Sequence, residues 1–482
     1  MPDWTGTFEK TAVIGKKPQE HDEEHMLSPV PMSERRPAWK QVLVWVGFGY
    51  VVTGLFVGGV LAGFGGQPGV PPALAAWAIA LGMGSLFVLT SLLGIMAQKT
   101  GMSLALVSRY SYGAKGVNIP MAVMALLTLG WFASITGMVG QIWGAFIGNP
   151  THIVVFTPSA LGYGGIPPIT LEIFLACVLS GLAFTMTAYY GIKAIEAVAI
   201  PVAPVILVIA VLVGAGMLDE GGGGTTFWAK ANALGGLGLG SAVTVVVGSW
   251  IAGAVMGVDL FRFNRNIAAV FAGAAACFIF TNPLLNVVGY IGAVSVGQFN
   301  YVEWMLDKNP LFAVVGCLAW TTSLWTTNNA ELYCNSLYTG PILASRGKSA
   351  DRKTLVLLAG ILGTFLGSLG FYQIFFADFI TVLGAAAPPL AGPLIADFYV
   401  VRKRHYAAEH LDDGPHYRLA GIVSFLTGAA LGLFFQYVSP PPGDLPSGLL
   451  ALCITIPLYL LLHRLTPGTR RDESRSRPIP SS

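Results

Sequence analysis

Charge is what this sequence has least of. Asp, Glu, Lys and Arg make up 11% of its residues, against about a quarter in a soluble domain. The deficit runs along nearly the whole chain, which excludes an ordinary water-soluble globule. Cysteine is scarce too: Cys177, Cys277, Cys317, Cys334 and Cys453 all sit in apolar runs. Their spacing makes neither a metal cage nor a disulfide framework, so they read as small buried hydrophobes. The seven histidines lie in tails, loops or span ends, which argues against an intramembrane His relay. No HExxH or other convergent nucleophile and base pattern is present, as a polytopic membrane enzyme would need. The N-terminal forty or so residues lack a basic n-region, a short apolar core and a small-residue cleavage site. They read as a flexible cytosolic tail, and the last twenty or so as a second solvated tail.

What is abundant is apolar residues, at 54%. A spanning helix needs about 20 of them in a row, and about twelve such runs recur between residues 41 and 463. The 60 glycines and 30 prolines suit membrane helices, where both are more frequent than in soluble ones. The expectation is therefore an all-α integral membrane protein. An even number of spans puts both tails on one side. With the tails in the cytoplasm, all of the 27 basic residues but Lys230 and Lys308 fall inside, as the positive-inside rule asks. The net charge of +3 mostly records this bias and does not point to a nucleic-acid partner.

Two longer loops occupy matching places. QKTGMSLALVSRYSYGAKGVN (98–118) follows the second apolar run, and AVSVGQFNYVEWMLDKNP (293–310) follows the seventh, on the opposite face. Each holds a stretch able to form a short amphipathic interfacial helix. Such a pairing is what an inverted five-plus-five repeat produces. It predicts that spans one and six are broken near the midplane. Both carry repeated glycines, in WVGFGYVVTGLFVGG and VVVGSWIAGAVMG. Glycine costs about 1 kcal/mol against alanine inside a helix. Unwound backbone explains Gly47 to Gly54 and Gly248 with Ser249. Gly253 and Gly257 fit close helix packing equally well. Unwound backbone at membrane depth must line a cavity or be buried in protein.

WTTNNAELY (325–333) places many polar groups in the middle of the eighth span. A lone threonine there bonds back to its own helix. Here Ser323, Thr326 and Thr327 share one helical face, and their oxygens can meet a monovalent cation. Asn328 lies one step around, where its amide suits a ligand's donor and acceptor pair. Glu331 lies a turn nearer the cytoplasm. A charge at a helix centre costs about 2.5–3.5 kcal/mol. It either couples transport to an ion or is wet or paired near the inner exit. Trp131 and Trp250 sit well inside their spans, too deep for an interfacial belt. Core packing accounts for them as well as a shared cavity, where they would sandwich a flat ring.

These segments resemble the nucleobase–cation symporter-1 family, in particular its bacterial cytosine permease branch. The likeness rests on GWF (130–132), VVGSW (246–250), DLFRFNRN (259–266), WTTNNAELY (325–333) and AAPPLAGPLIADFYVVRKRHY (386–406). The resemblance implies a sodium-coupled, alternating-access importer of a nucleobase or related heterocycle, and not an enzyme. It implies about twelve helices with the LeuT-type inverted repeat, and two further helices. The boundaries expected are a tail at 1–38, repeats at 39–217 and 238–400, two more helices at 418–464 and a tail at 465–482. Sodium would sit on carbonyls of Gly47 and Tyr50 and on Ser323, Thr326 and Thr327. The ring would lie between Trp131 and Trp250, near Val51, with polar contacts from Ser249 and Asn328. No other cofactor is implied; the partners are the heterocycle, sodium and membrane lipid. Four positions depart from the cytosine branch: Thr128 and Ala252 replace a glutamine and a serine, Trp250 a phenylalanine, and Ser323 an asparagine. They put the choice of heterocycle in question, because a changed polar edge alters which hydrogen-bond pattern a pocket rewards. A transporter of two six-helix halves would need a long loop after span six, where only DLFRFNRN stands, and no channel filter is visible.

Overall fold

The structure, a computed structural model, describes residues 25–466 apart from 27, 51, 65–67, 163–165, 192–206, 349–350, 407–410 and 412–413. Apolar runs become helices. In chain order these are α1 (Ala38–Gly49), α2 (Val52–Leu61), α3 (Pro72–Thr100), α4 (Leu104–Tyr112), α5 (Asn118–Ile147) and α6 (Leu171–Tyr190). There follow α7 (Leu207–Glu220), α8 (Gly223–Asn232), α9 (Leu239–Gly248), α10 (Ile251–Phe261), α11 (Ile267–Ala275) and α12 (Asn282–Val296). The last are α13 (Tyr301–Leu306), α14 (Pro310–Ala344), α15 (Arg352–Ser368), α16 (Phe371–Ala386), α17 (Ala391–Ile395), α18 (Leu419–Tyr437) and α19 (Ser447–Leu465). Two short strands, β1 (Val154–Phe156) and β2 (Ile169–Thr170), pair antiparallel with Val154 opposite Thr170. Local sequence sets the ends. Asn309 caps α14 through the amide of Phe312 with Pro310 in the first turn, and Asp351 caps α15 through the amide of Thr354, as helix starts prefer.

Among the described residues, eight helices are long and apolar enough to cross a membrane, or ten if each of two bent pairs counts as one span. The expected count of about twelve is not reached by that measure. The polar middle of 35-residue α14 lowers its hydropathy, and α15 has only 17 residues. Large apolar side chains such as Leu179, Leu212, Phe280 and Leu358 point outward and are exposed. A soluble protein rarely shows so much exposed apolar surface; here it faces lipid.

Span one is broken. α1 ends at Gly49, Tyr50 has φ −82° and ψ 81°, and the chain resumes bent by 47°. Span six breaks less. Only Ser249 and Trp250 leave the helix between α9 and α10, and the span is not among those bent by more than 40°. Gly248 is the last helical residue. A Cβ there would lie 2.5 Å from the Ile380 carbonyl and 3.0 Å from Gly384 Cα. Its role is close packing on α16, which corrects the expectation that it belongs to an unwound stretch.

α14 is the hub. It packs against α1, α4, α5, α6, α13 and α15, which explains why its middle is polar on several faces. Asn329 Oδ1 accepts from Thr187 on α6 at 2.6 Å. Asn335 Nδ2 donates to Ala125 O and to Thr128 on α5.

Both expected short helices form, as α4 and α13. All of α4 except Arg109 is buried, so it is packed into the protein and does not lie on the lipid interface. The described part of the N-terminal segment is docked, against the expectation of a free tail. Val30 and Arg35 are buried. Arg35 donates to the carbonyls of Val30 and Gln98, and Arg265 Nε donates to Arg35 O at 2.6 Å.

Candidate substrate and cation site

A helix that stops inside a protein leaves its last four carbonyls without partners. At the end of α1 these belong to Gly47, Phe48, Gly49 and Tyr50, and each accepts from a neighbouring side chain. Thr326 Oγ1 donates to Gly47 O at 2.9 Å, Thr327 Oγ1 to Phe48 O at 3.3 Å and Ser323 Oγ to Tyr50 O at 2.9 Å. Asn282 Nδ2 on α12 donates to Gly49 O at 3.1 Å. The three α14 hydroxyls and three of the carbonyls form one buried group of neutral oxygens at the negative end of a helix dipole. Such a donor set suits a hard cation. Among the described residues, no group of three or more His, Cys, Asp or Glu is placed to hold a metal.

Beside this group lies a small cavity lined by Trp131, Ile135, Ser249, Trp250, Gly253, Thr327 and Glu331. Its volume is about 10 Å³, room for about one water molecule. Trp131 meets Phe376 and Phe379 edge-on at 5.7 Å and 5.5 Å. Trp250 meets Phe48 and Phe278 edge-on at 5.1 Å and 5.7 Å. The missing Cβ of Gly253 leaves room for the Trp250 ring, which would stand 2.6 Å from it. These aromatic collars fix both indoles. The Ser249 hydroxyl is turned back onto Val246 O at 2.7 Å.

The profile of the family described as permease for cytosine/purines, uracil, thiamine and allantoin matches residues 29–452. The chain belongs to this permease family. It is 28% identical to the cytosine permease of Escherichia coli strain K12 over 397 residues, covering 80% of this chain and 83% of that one. It is 26% identical to the hydantoin permease of Microbacterium maritypicum over 420 residues, 80% and 79% of the two chains. Among solved structures, Mhp1, a nucleobase–cation-symport-1 family transporter in a closed conformation with bromovinylhydantoin bound, aligns with a TM-score of 0.72 at 21% identity. That alignment covers 93% of this chain and 97% of the other. The permease thus has the LeuT-type fold expected. It is a multi-pass membrane transporter of nucleobase-like solutes and not an enzyme.

Within the permease, the residues singled out in the sequence fall into three groups. Gly47, Tyr50, Ser323, Thr326 and Thr327 meet at the break of span one. Trp131, Ser249 and Trp250 line one cavity, and Glu331 joins them there, buried. Thr128, Ala252 and Asn328 are not on the cavity wall. Thr128 bonds back to Met124 O and accepts from Asn335. Asn328 Nδ2 donates to Phe132 O and Thr136. Val51 lies outside the described residues. The Phe48 carbonyl, Asn282, Ile135 and the cavity role of Gly253 went unread. Phe48 O was implicit in the break itself, since a broken helix frees consecutive carbonyls. Ile135 sits one turn after Trp131, a spacing that α-helical periodicity offers.

Proposed function

We propose that the permease imports a cytosine-like nucleobase together with sodium, by alternating access in the cytoplasmic membrane, with both termini inside. About twelve spans carry the work: repeats at 39–217 and 238–400 and two further helices at 418–464. The observation that carries this reading is the meeting of three α14 hydroxyls with the freed carbonyls of α1, next to a cavity walled by two indoles. Sodium replaces hydroxyl hydrogens as the partner of Gly47 O and Tyr50 O. Ion binding then draws α14 and the break of α1 together, and the same movement shapes the cavity wall at Thr327. A planar ring enters between Trp131 and Trp250, and its further polar or shape contacts are assigned to Ser249, Asn328 and Val51. Thr128 and Ala252, which differ from the cytosine branch, are assigned to the substrate site as positions that set which heterocycle is taken. The names of the relatives support the solute class. A second reading, proton-coupled transport of another purine-like, pyrimidine-like or hydantoin-like solute, is favoured by Glu331 on the cavity wall.

The test is uptake of radiolabelled cytosine into proteoliposomes with and without an inward sodium gradient. Sodium-dependent accumulation is expected. Equal uptake without sodium, driven by a pH gradient alone, overturns the sodium reading.

A further inference from the structure

Two buried polar atoms on residues that line the central cavity have no hydrogen-bond partner among the described residues: Glu331 Oε2 and Trp250 Nε1. Native proteins rarely leave such groups unmade, and each instance asks for an explanation. Glu331 is 3% exposed. The rest of the wall is uncharged: Trp131, Ile135, Ser249, Trp250, Gly253 and Thr327. Of the wall hydroxyls, Ser249 is turned onto Val246 O and Thr327 onto Phe48 O. Titratable groups on its own helix that feel Glu331 electrostatically are Cys334 and Tyr338. Tyr338 already donates to Asp259 Oδ2 at 2.9 Å. The guanidinium of Arg262 is engaged by Tyr333 on the same helix as Glu331, by His25 O and by Asp259 O.

We propose that Glu331 reads the hydrogen-bonding edge of the heterocycle, through a carboxyl that carries one proton while the ligand is bound. This rests on the nucleobase reading above. An ionised carboxylate only accepts hydrogen bonds, whereas a protonated one offers a donor beside an acceptor. The ligand class follows from that match: a planar azaheterocycle with a donor and an acceptor side by side. A ring nitrogen next to an amino group has this pattern, and so does a ring N–H next to a carbonyl. Against either edge, an ionised carboxylate would set acceptor against acceptor. With one proton, drawn from solution as the chamber closes, the pair makes two matched hydrogen bonds and stays neutral overall. No covalent bond to the ligand forms or breaks. Neutrality matters because a lone charge in a chamber without water is strongly disfavoured. Trp250 Nε1 supplies a further donor to a ring acceptor.

The proposal makes ligand affinity fall with pH in a way that one atom exchange removes. The experiment is cytosine binding by calorimetry on the purified full chain at constant sodium, from roughly pH 6 to 9. Wild-type affinity is expected to fall as pH rises through the free carboxyl's titration, by up to about tenfold per pH unit. Glu331→Gln keeps a donor beside an acceptor at every pH. It is expected to bind cytosine within about tenfold of the wild-type maximum and to show a flat profile. Glu331→Ala loses the edge and weakens binding by about tenfold or more. Identical pH profiles in wild type and Glu331→Gln overturn the proposal. So do a flat wild-type profile, and loss of binding by a Glu331→Gln protein whose melting temperature is unchanged. If no nucleobase binds the wild type at any pH, the nucleobase reading itself falls, which is a different result from the others.

Discussion

At the scale of single residues, one hydroxyl of α14 meets two carbonyls. Thr326 Oγ1 lies 2.9 Å from Gly47 O and 2.7 Å from Ser323 O, so it both bonds back along its own helix and crosses to α1. Thr326→Ala removes one cross-helix hydrogen bond and, under the proposed function, a cation ligand. The apparent sodium affinity in uptake assays is expected to fall about tenfold or more, while the net stability cost stays near 1 kcal/mol. Thr326→Ser keeps the oxygen and should restore sodium dependence. An alanine variant with unchanged sodium dependence would assign this hydroxyl to packing alone. WTTNNAELY showed in sequence that this helix carries too many polar groups for lipid. Periodicity gave the face of Ser323, Thr326 and Thr327. It did not give the partners of Asn328 and Asn329, because those depend on which helices stand beside α14, and nothing local to the motif encodes that. Asn328 faces α5 and Asn329 faces α6.

At the scale of elements, the two interrupted spans differ. Span one bends by 47° and gives up four carbonyls; span six is interrupted only at Ser249 and Trp250. Glycine in the sequence marked both places but did not say what each glycine was for. A glycine that lets the chain unwind and one that lets two backbones touch look alike in a string of letters. Contact distances separate them. At Gly248 a Cβ would meet Ile380 O and the Gly384 backbone, so Gly248→Ala overpacks the seam between α9 and α16. A loss of about 1–3 kcal/mol is expected, read as a lowered melting temperature of the purified protein. No loss would mean the two helices separate easily and that the seam is not a fixed one. The short helix at 104–112 was legible as a helix but not as a buried one. Its moderate hydrophobicity suits lipid interface and protein interior alike, and only the neighbouring helices decide.

At the scale of the whole molecule, the apolar surface and the family place the chain in a membrane as a transporter, and both were readable from composition and motif order. The state of the transporter was not. Between the indoles there is space for about one water molecule, so a heterocycle enters only when helices move apart. One helix of the cavity wall also carries oxygens of the proposed cation site: α14 contributes Thr327 to both the wall and the hydroxyl face. Two ligands that bias one movement must affect each other's affinity equally, typically by 5- to 150-fold. The most direct measurement is therefore the affinity of the purified protein for cytosine with sodium, and with sodium replaced by choline. The account predicts tighter binding in sodium by a factor in that range, with the difference abolished by Thr326→Ala. Equal affinities in sodium and choline, in a protein that binds the nucleobase well, would contradict it.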